Sequence, residues 1–163
     1  MSARAPKKLH AIRLLESKGV PHRLTVYDDR GEFHTGEEAA ALVGAPAEAV
    51  YKTLVILRDP PSGRPLLVIV PVASHADLKA LAASLGEKRL RMATQRQAEK
   101  LTGMQAGGIS ALALPPGRFD VLIDQTARSL ERIHVSAGAR GMDVELAVAD
   151  LIQLTDARYA KAT

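Results

Sequence analysis

The chemistry on offer in this 163-residue chain begins with Lys52, at the mouth of the apolar run Val50-Tyr51-Lys52-Thr53-Leu54-Val55-Ile56-Leu57. An ammonium group facing a core loses hydration unless an anion or several acceptors replace the water. A strand-end lysine otherwise snorkels its amine into solvent. Much further on lies Ala106-Gly107-Gly108-Ile109-Ser110, and beyond that Ser136-Ala137-Gly138-Ala139-Arg140-Gly141 with Asp143 behind it. Backbone amides of glycine loops can donate to a carbonyl or a phosphate because no Cβ blocks close approach. Asp143 can accept from an amine or a ribose hydroxyl, or it can tie down the preceding turn or pair with Arg140. By residue chemistry alone, the set points to an anion-bearing ligand.

Several function classes are excluded or weakened. The chain has no cysteine, so disulfides, thiolate metal sites and a cysteine nucleophile are out. Its five histidines, His10, His22, His34, His75 and His134, show no HxxxH or HExxH spacing, and no metal or other cofactor is expected. There is no Walker loop, GxGxxG fingerprint or nucleophile elbow. With 3% aromatic residues and no Trp, a base-stacking platform is poorly supported. A net charge of +4 and a pI near 9.6 favour a polyanionic partner. No apolar run reaches the roughly 18 residues of a membrane span, no signal-peptide core follows the basic start, and a cytoplasmic location is expected.

The elements that must position these residues read as one domain over 1–163. Lys7 to Lys18 is helix-like, with Gly19 as its stop, and His22 to Tyr27 alternates as a strand with Thr25 and Tyr27 on one face. Thr35-Gly36-Glu37-Glu38 predicts a capping box for a helix to Val43. Pro46 opens a helical turn, and Thr53–Arg58 with Leu66–Val72 predicts a hairpin whose apolar arms lie centrally in a sheet. Ser74-His75-Ala76-Asp77 and Thr94-Gln95-Arg96-Gln97 cap helices ending at Gly86 and Gly103. Lys88, Arg89 and Arg91 between those two helices, with Arg96 and Lys100 on the second, form either a solvated face or a phosphate patch. Gly103 to Gly117 reads as a loop, Phe119–Ile123, Arg132–Val135 and Met142–Leu146 as strands, and Val148–Leu154 as a terminal helix. This order predicts an α+β fold: a mixed, largely antiparallel sheet, curled or closed as a barrel, with flanking helices.

Taken together, Val50-Tyr51-Lys52-Thr53-Leu54, Pro71-Val72-Ala73, Asp77-Leu78-Lys79, Gly107-Gly108-Ile109-Ser110 and Val135 through Leu146 resemble the YbaK/EbsC family. These are aminoacyl-tRNA deacylases related to the editing insertion of prolyl-tRNA synthetases. The resemblance runs from about Leu9 to Tyr159. It implies trans-editing hydrolysis of mischarged aminoacyl-tRNA, with Cys-tRNA(Pro) as the expected substrate. The alternatives are Ala-tRNA(Pro) or a non-catalytic tRNA or nucleotide-binding module. The implied partners are aminoacyl-tRNA and, in addition, prolyl-tRNA synthetase; neither DNA nor a membrane is expected. Lys52, Gly107 and Gly108 carry the implied catalytic roles, and Tyr27, Ile109, Ser110, Ser136, Gly138, Arg140 and Asp143 bind substrate. The nucleophile is water or, for a cysteinyl ester, the substrate's own thiol. Ala111 stands where the family loop carries proline, and Ala139 where the freestanding type carries lysine.

Overall fold

The central strand is β3 (Leu66–Pro71), every residue of which is buried. Leu67 and Ile69 enter the main core, whereas Leu66, Val68 and Val70 enter a second cluster on the opposite face. That two-sided burial is why the strand reads as an unbroken apolar run instead of an alternation. The computed structural model describes residues 9–163. In chain order its other elements are α1 (His10–Ser17), β1 (His22–Val26), α2 (Gly36–Val43), β2 (Tyr51–Arg58), α3 (Leu78–Leu85), β4 (Leu90–Met92), α4 (Gln95–Thr102), β5 (Asp120–Asp124), β6 (Arg132–Ser136), β7 (Met142–Ala147), α5 (Val148–Thr155) and β8 (Arg158–Ala160). Short 3-10 turns occupy Ala47–Ala49, Ala111–Ala113 and Gln125–Ser129.

The strands form a five-stranded sheet ordered β4-β2-β3-β5-β8 and a three-stranded sheet ordered β1-β7-β6. The β2–β3, β2–β4, β1–β7 and β6–β7 pairs are antiparallel, and β3–β5 and β5–β8 are parallel. The fold is therefore α+β with a mixed, largely antiparallel arrangement. The sheets meet at a parallel bridge between Val50 and His134 and do not close into a barrel.

Several local expectations change. The start of the first predicted helix, at Lys7 and Lys8, lies outside the described residues. At α2 only half of the capping box forms: the Thr35 hydroxyl accepts from the Glu38 amide, while the Glu38 carboxylate lies 3.6 Å from His34 Nδ1. At α3 the cap is Asp77, whose carboxylate accepts from the Ala80 amide; the Ser74 amide instead closes a turn on the Pro71 carbonyl. The box at Thr94 and Gln97 is complete. Two three-residue strands were not anticipated. β4 lies within the basic segment, where Leu90 is buried beside β2, and β8 runs along β5. Both are too short to show a period and are specified by the strand they pair with.

Candidate active site

Register assembles the site on one face of the smaller sheet. Ser136 of β6 lies opposite Asp143 of β7, and Asp143 lies opposite Thr25 of β1. Since side chains alternate along a strand, Thr25 and Tyr27 share the face of Asp143. The Tyr27 amide donates to the Gly141 carbonyl, which holds that residue beside the β6–β7 turn. At the seam, Val50 pairs with His134; two residues onward on each strand stand Lys52 and Ser136. The face thus runs from Lys52 across Ser136 to Asp143 and Tyr27. Along its lower part Glu145 receives Arg132 at 2.6 Å and His134 at 3.3 Å.

The charges on this face are incompletely paired. Asp143 is 6% exposed and, among the described residues, has no ion pair or side-chain hydrogen bond; burial pushes its carboxyl up to about 6. Burial also raises the Tyr27 phenol, and the nearby Asp143 charge raises it further. The Lys52 ammonium has one long hydrogen bond, 3.5 Å to the Val72 carbonyl, and no carboxylate among the described residues. Lys52 and Asp143 do not meet, because β6 stands between them. His34, at 2.7 Å from Asp28, is pushed up by that hydrogen bond, and Asp28 is held down by it.

The two loops pack on each other. A Cβ on Gly108 would lie 2.7 Å from the Arg140 amide nitrogen and 2.8 Å from the Ala139 carbonyl carbon. The glycine is thus required by the neighbouring backbone, and its amide already donates to the Gln105 carbonyl at 2.9 Å. This corrects the expectation that Gly108 is bare for a ligand. Among the described residues the Gly107 amide has no backbone acceptor, and the ideal Cβ position of Gly107 lies 3.4 Å from the Phe33 ring. The Arg140 Nε donates to the Ala106 carbonyl at 2.7 Å, and its guanidinium lies 5.4 Å from the Phe33 ring centroid. It forms no pair with Asp143. Gly141 lies so close to the Asp28 carbonyl that any Cβ would strike it.

Of the predicted site residues, Lys52, Ser136, Asp143 and Tyr27 share the sheet face, and Gly107, Gly108 and Arg140 form the loop pair at its end. Ile109 belongs to the main core. Ser110 is 1% exposed with its hydroxyl unpartnered among the described residues, so neither side chain offers itself to solvent. Gly138 borders a different cleft of ≈ 1250 Å³ between α1, the 111–119 segment and α5. Phe33 and His34 were not picked out as site residues. The sequence signal was an aromatic residue in a polar stretch and a histidine four residues before Glu38; the fold leaves Phe33 58% exposed and brings His34 within 3.6 Å of Glu38.

The architecture is thus an α+β domain with an incompletely paired polar sheet face, closed at one end by paired glycine loops. The chain belongs to the aminoacyl-tRNA editing domain family, whose model matches residues 31–154. It is 29% identical over 157 residues to an EbsC protein of Enterococcus faecalis, named for deacylation of Cys-tRNA(Pro) and Cys-tRNA(Cys), covering 96% of this chain and 94% of that one. It is 31% identical over 137 residues to the proline–tRNA ligase of Shouchella clausii, covering 82% of this chain and 21% of the ligase. Among solved structures, the hypothetical protein APE2540 superposes with a TM-score of 0.82 at 24% identity, over 94% of this chain and 98% of that one. A protein described as a trans-editing enzyme for prolyl-tRNA synthetase superposes at 0.75 with 22% identity over 99% of each chain. At these identities the structural matches speak to the fold.

Proposed function

We propose that the protein is a trans-editing hydrolase that cleaves the ester joining a mischarged amino acid to the terminal ribose of tRNA, with Cys-tRNA(Pro) as its leading substrate. One observation carries this reading: among the described residues, the face holds a buried carboxylate without a cation and, across the intervening β6, a lysine without an anion. A ligand bearing an ammonium group at one end and a phosphate at the other supplies both missing charges. An aminoacyl-adenosine terminus has that layout, with the α-ammonium on Asp143 and the terminal phosphate on Lys52. Membership of the editing-domain family and similarity to a relative named for Cys-tRNA(Pro) support the same substrate class.

In the reaction a water oxygen bonds to the ester carbonyl carbon, and the carbonyl oxygen becomes an oxyanion. The Gly107 amide, free of a backbone acceptor among the described residues, is the donor for that charge. As the intermediate collapses the bond to the ribose oxygen breaks, and the proton released by water passes to that oxygen. The products are the free amino acid and tRNA with an intact hydroxyl. For a cysteinyl ester, the substrate thiol can take the place of water: its sulfur bonds to the carbonyl carbon, the bond to the ribose oxygen breaks, the thiol proton passes to that oxygen, and the cyclic thiolactone released is opened by water to cysteine. Lys52 holds the phosphate, so its loss removes positioning without opening a core cavity.

The test is single-turnover deacylation of Cys-tRNA(Pro), Ala-tRNA(Pro), Cys-tRNA(Cys) and correctly charged Pro-tRNA(Pro) by wild type and Lys52→Ala. Wild type is expected to clear a mischarged substrate and spare Pro-tRNA(Pro). The variant is expected to be slower by about 100-fold, with unfolding free energy changed by less than about 1 kcal/mol. Tight tRNA binding without turnover on any substrate would instead identify a non-catalytic module. A fully active, well-folded Lys52→Ala protein would remove that lysine from the site.

A further inference from the structure

Glu99 sits in the last turn of α4, where a carboxylate opposes the helix macrodipole. Its backbone carbonyl accepts the Gly103 amide that ends the helix, and its side-chain Oε2 accepts the Ala106 amide at 2.8 Å. On the other side of the same residue, Arg140 Nε donates to the Ala106 carbonyl at 2.7 Å. Both peptide planes flanking the Ala106 Cα are therefore held, one by an acid from α4 and one by a base from the β6–β7 turn.

The second of these planes contains the Gly107 N–H. In a planar trans peptide the carbonyl and the following N–H point in opposite directions, so Arg140 on the Ala106 oxygen aims the Gly107 hydrogen away from itself. A single hold leaves the loop free to rotate about the Ala106 φ and ψ bonds. The second hold, on the Ala106 amide, removes that freedom. We propose that Glu99 is a positioning residue for ester hydrolysis: with Arg140 it clamps Ala106 and so fixes the direction of the Gly107 amide toward the reacting carbonyl. The inference rests on the deacylase reading above and extends it to a side chain that touches no substrate.

Two readouts separate the clamp from its consequence. The first is exchange of the Ala106 amide proton followed by NMR. Glu99→Ala exposes this amide to exchange, whereas Glu99→Gln keeps an acceptor oxygen and retains protection. The second is kinetics on the aminoacyl-tRNA that wild type clears. Glu99→Ala lowers kcat by about 10- to 100-fold with KM within about threefold of wild type, since misorientation of a transition-state donor costs rate and not binding. Glu99→Gln stays within about threefold of wild type on both constants, and without the unfavourable charge at the helix end it loses no stability. Glu87→Ala is the control: it removes a comparable carboxylate bond, 2.7 Å to Arg58, at the opposite end of β2, and should lower stability while sparing kcat. Wild-type kcat in Glu99→Ala would overturn the proposal, as would a Glu99→Gln protein as slow as Glu99→Ala despite a protected Ala106 amide. A wild-type protein inactive on every substrate would overturn the deacylase reading instead, and exchange at Ala106 would then decide the clamp by itself.

Discussion

Replacing Asp143 by asparagine should stabilise the free protein at neutral pH and impair it as an enzyme. The carboxyl is buried, has no hydrogen-bond or ion-pair partner among the described residues, and sits at about 6 in place of 3.8 because burial disfavours its charge. Each tenfold displacement of the proton equilibrium corresponds to about 1.4 kcal/mol, so the ionised group costs the folded state about 3 kcal/mol. The sign follows from the upward displacement. The favourable contribution of the protonated acid is complete below pH 3.8 and is lost as pH rises through about 6. Asparagine keeps the shape and carries no charge, so the variant gains about 1–3 kcal/mol over wild type at pH 8 and converges on it near pH 4. Urea denaturation of both proteins at several pH values between 4 and 8 measures the difference. Deacylation on the same samples should fall, because an amide cannot neutralise an α-ammonium. Parallel stability profiles for the two proteins, or a variant less stable than wild type at pH 8, would refute the assignment of an unpaired buried charge.

Gly108→Val should reduce stability by about 2 kcal/mol or more, since its Cβ would meet the Arg140–Ala139 backbone, and thermal unfolding should register this before any effect on turnover in the folded fraction. Asp124→Ala should cost about 3–5 kcal/mol, because the fully buried carboxylate accepts from the amides of Thr126, Ala162 and Thr163 and from two of their hydroxyls. Burial alone would raise that carboxyl, but these donors outweigh it and hold it below the ordinary range, so its contribution is present above about pH 4 and lost as acid is added. Urea midpoints at pH 7 and pH 3 check both the size and the direction; a difference that persists undiminished at pH 3 would contradict it.

The sequence by itself determined most of the longer elements and the family. Helix ends were legible at Thr35, Thr94, Gly44, Gly86 and Gly103 because caps are local: a side chain or a glycine satisfies backbone groups three or four residues away. The β2–β3 hairpin was legible because two apolar runs flank a turn-forming segment, and the family was legible because several motifs occur in one order. Only the tertiary structure decided how these parts meet. The Val50–His134 bridge brings Lys52 and Ser136 onto one face from residues far apart in the chain. No local pattern encodes that seam, since a single bridge has no period. Gly108 reads as a ligand loop in sequence and proves to be a packing glycine, because the backbone it must clear belongs to Ala139 and Arg140. Glu99 reads as one more charge on a basic helix; its role exists only because the chain returns to lay the Ala106 amide against it. Asp143 is an ordinary acid in sequence, and its elevated carboxyl is a property of burial, which the fold alone creates.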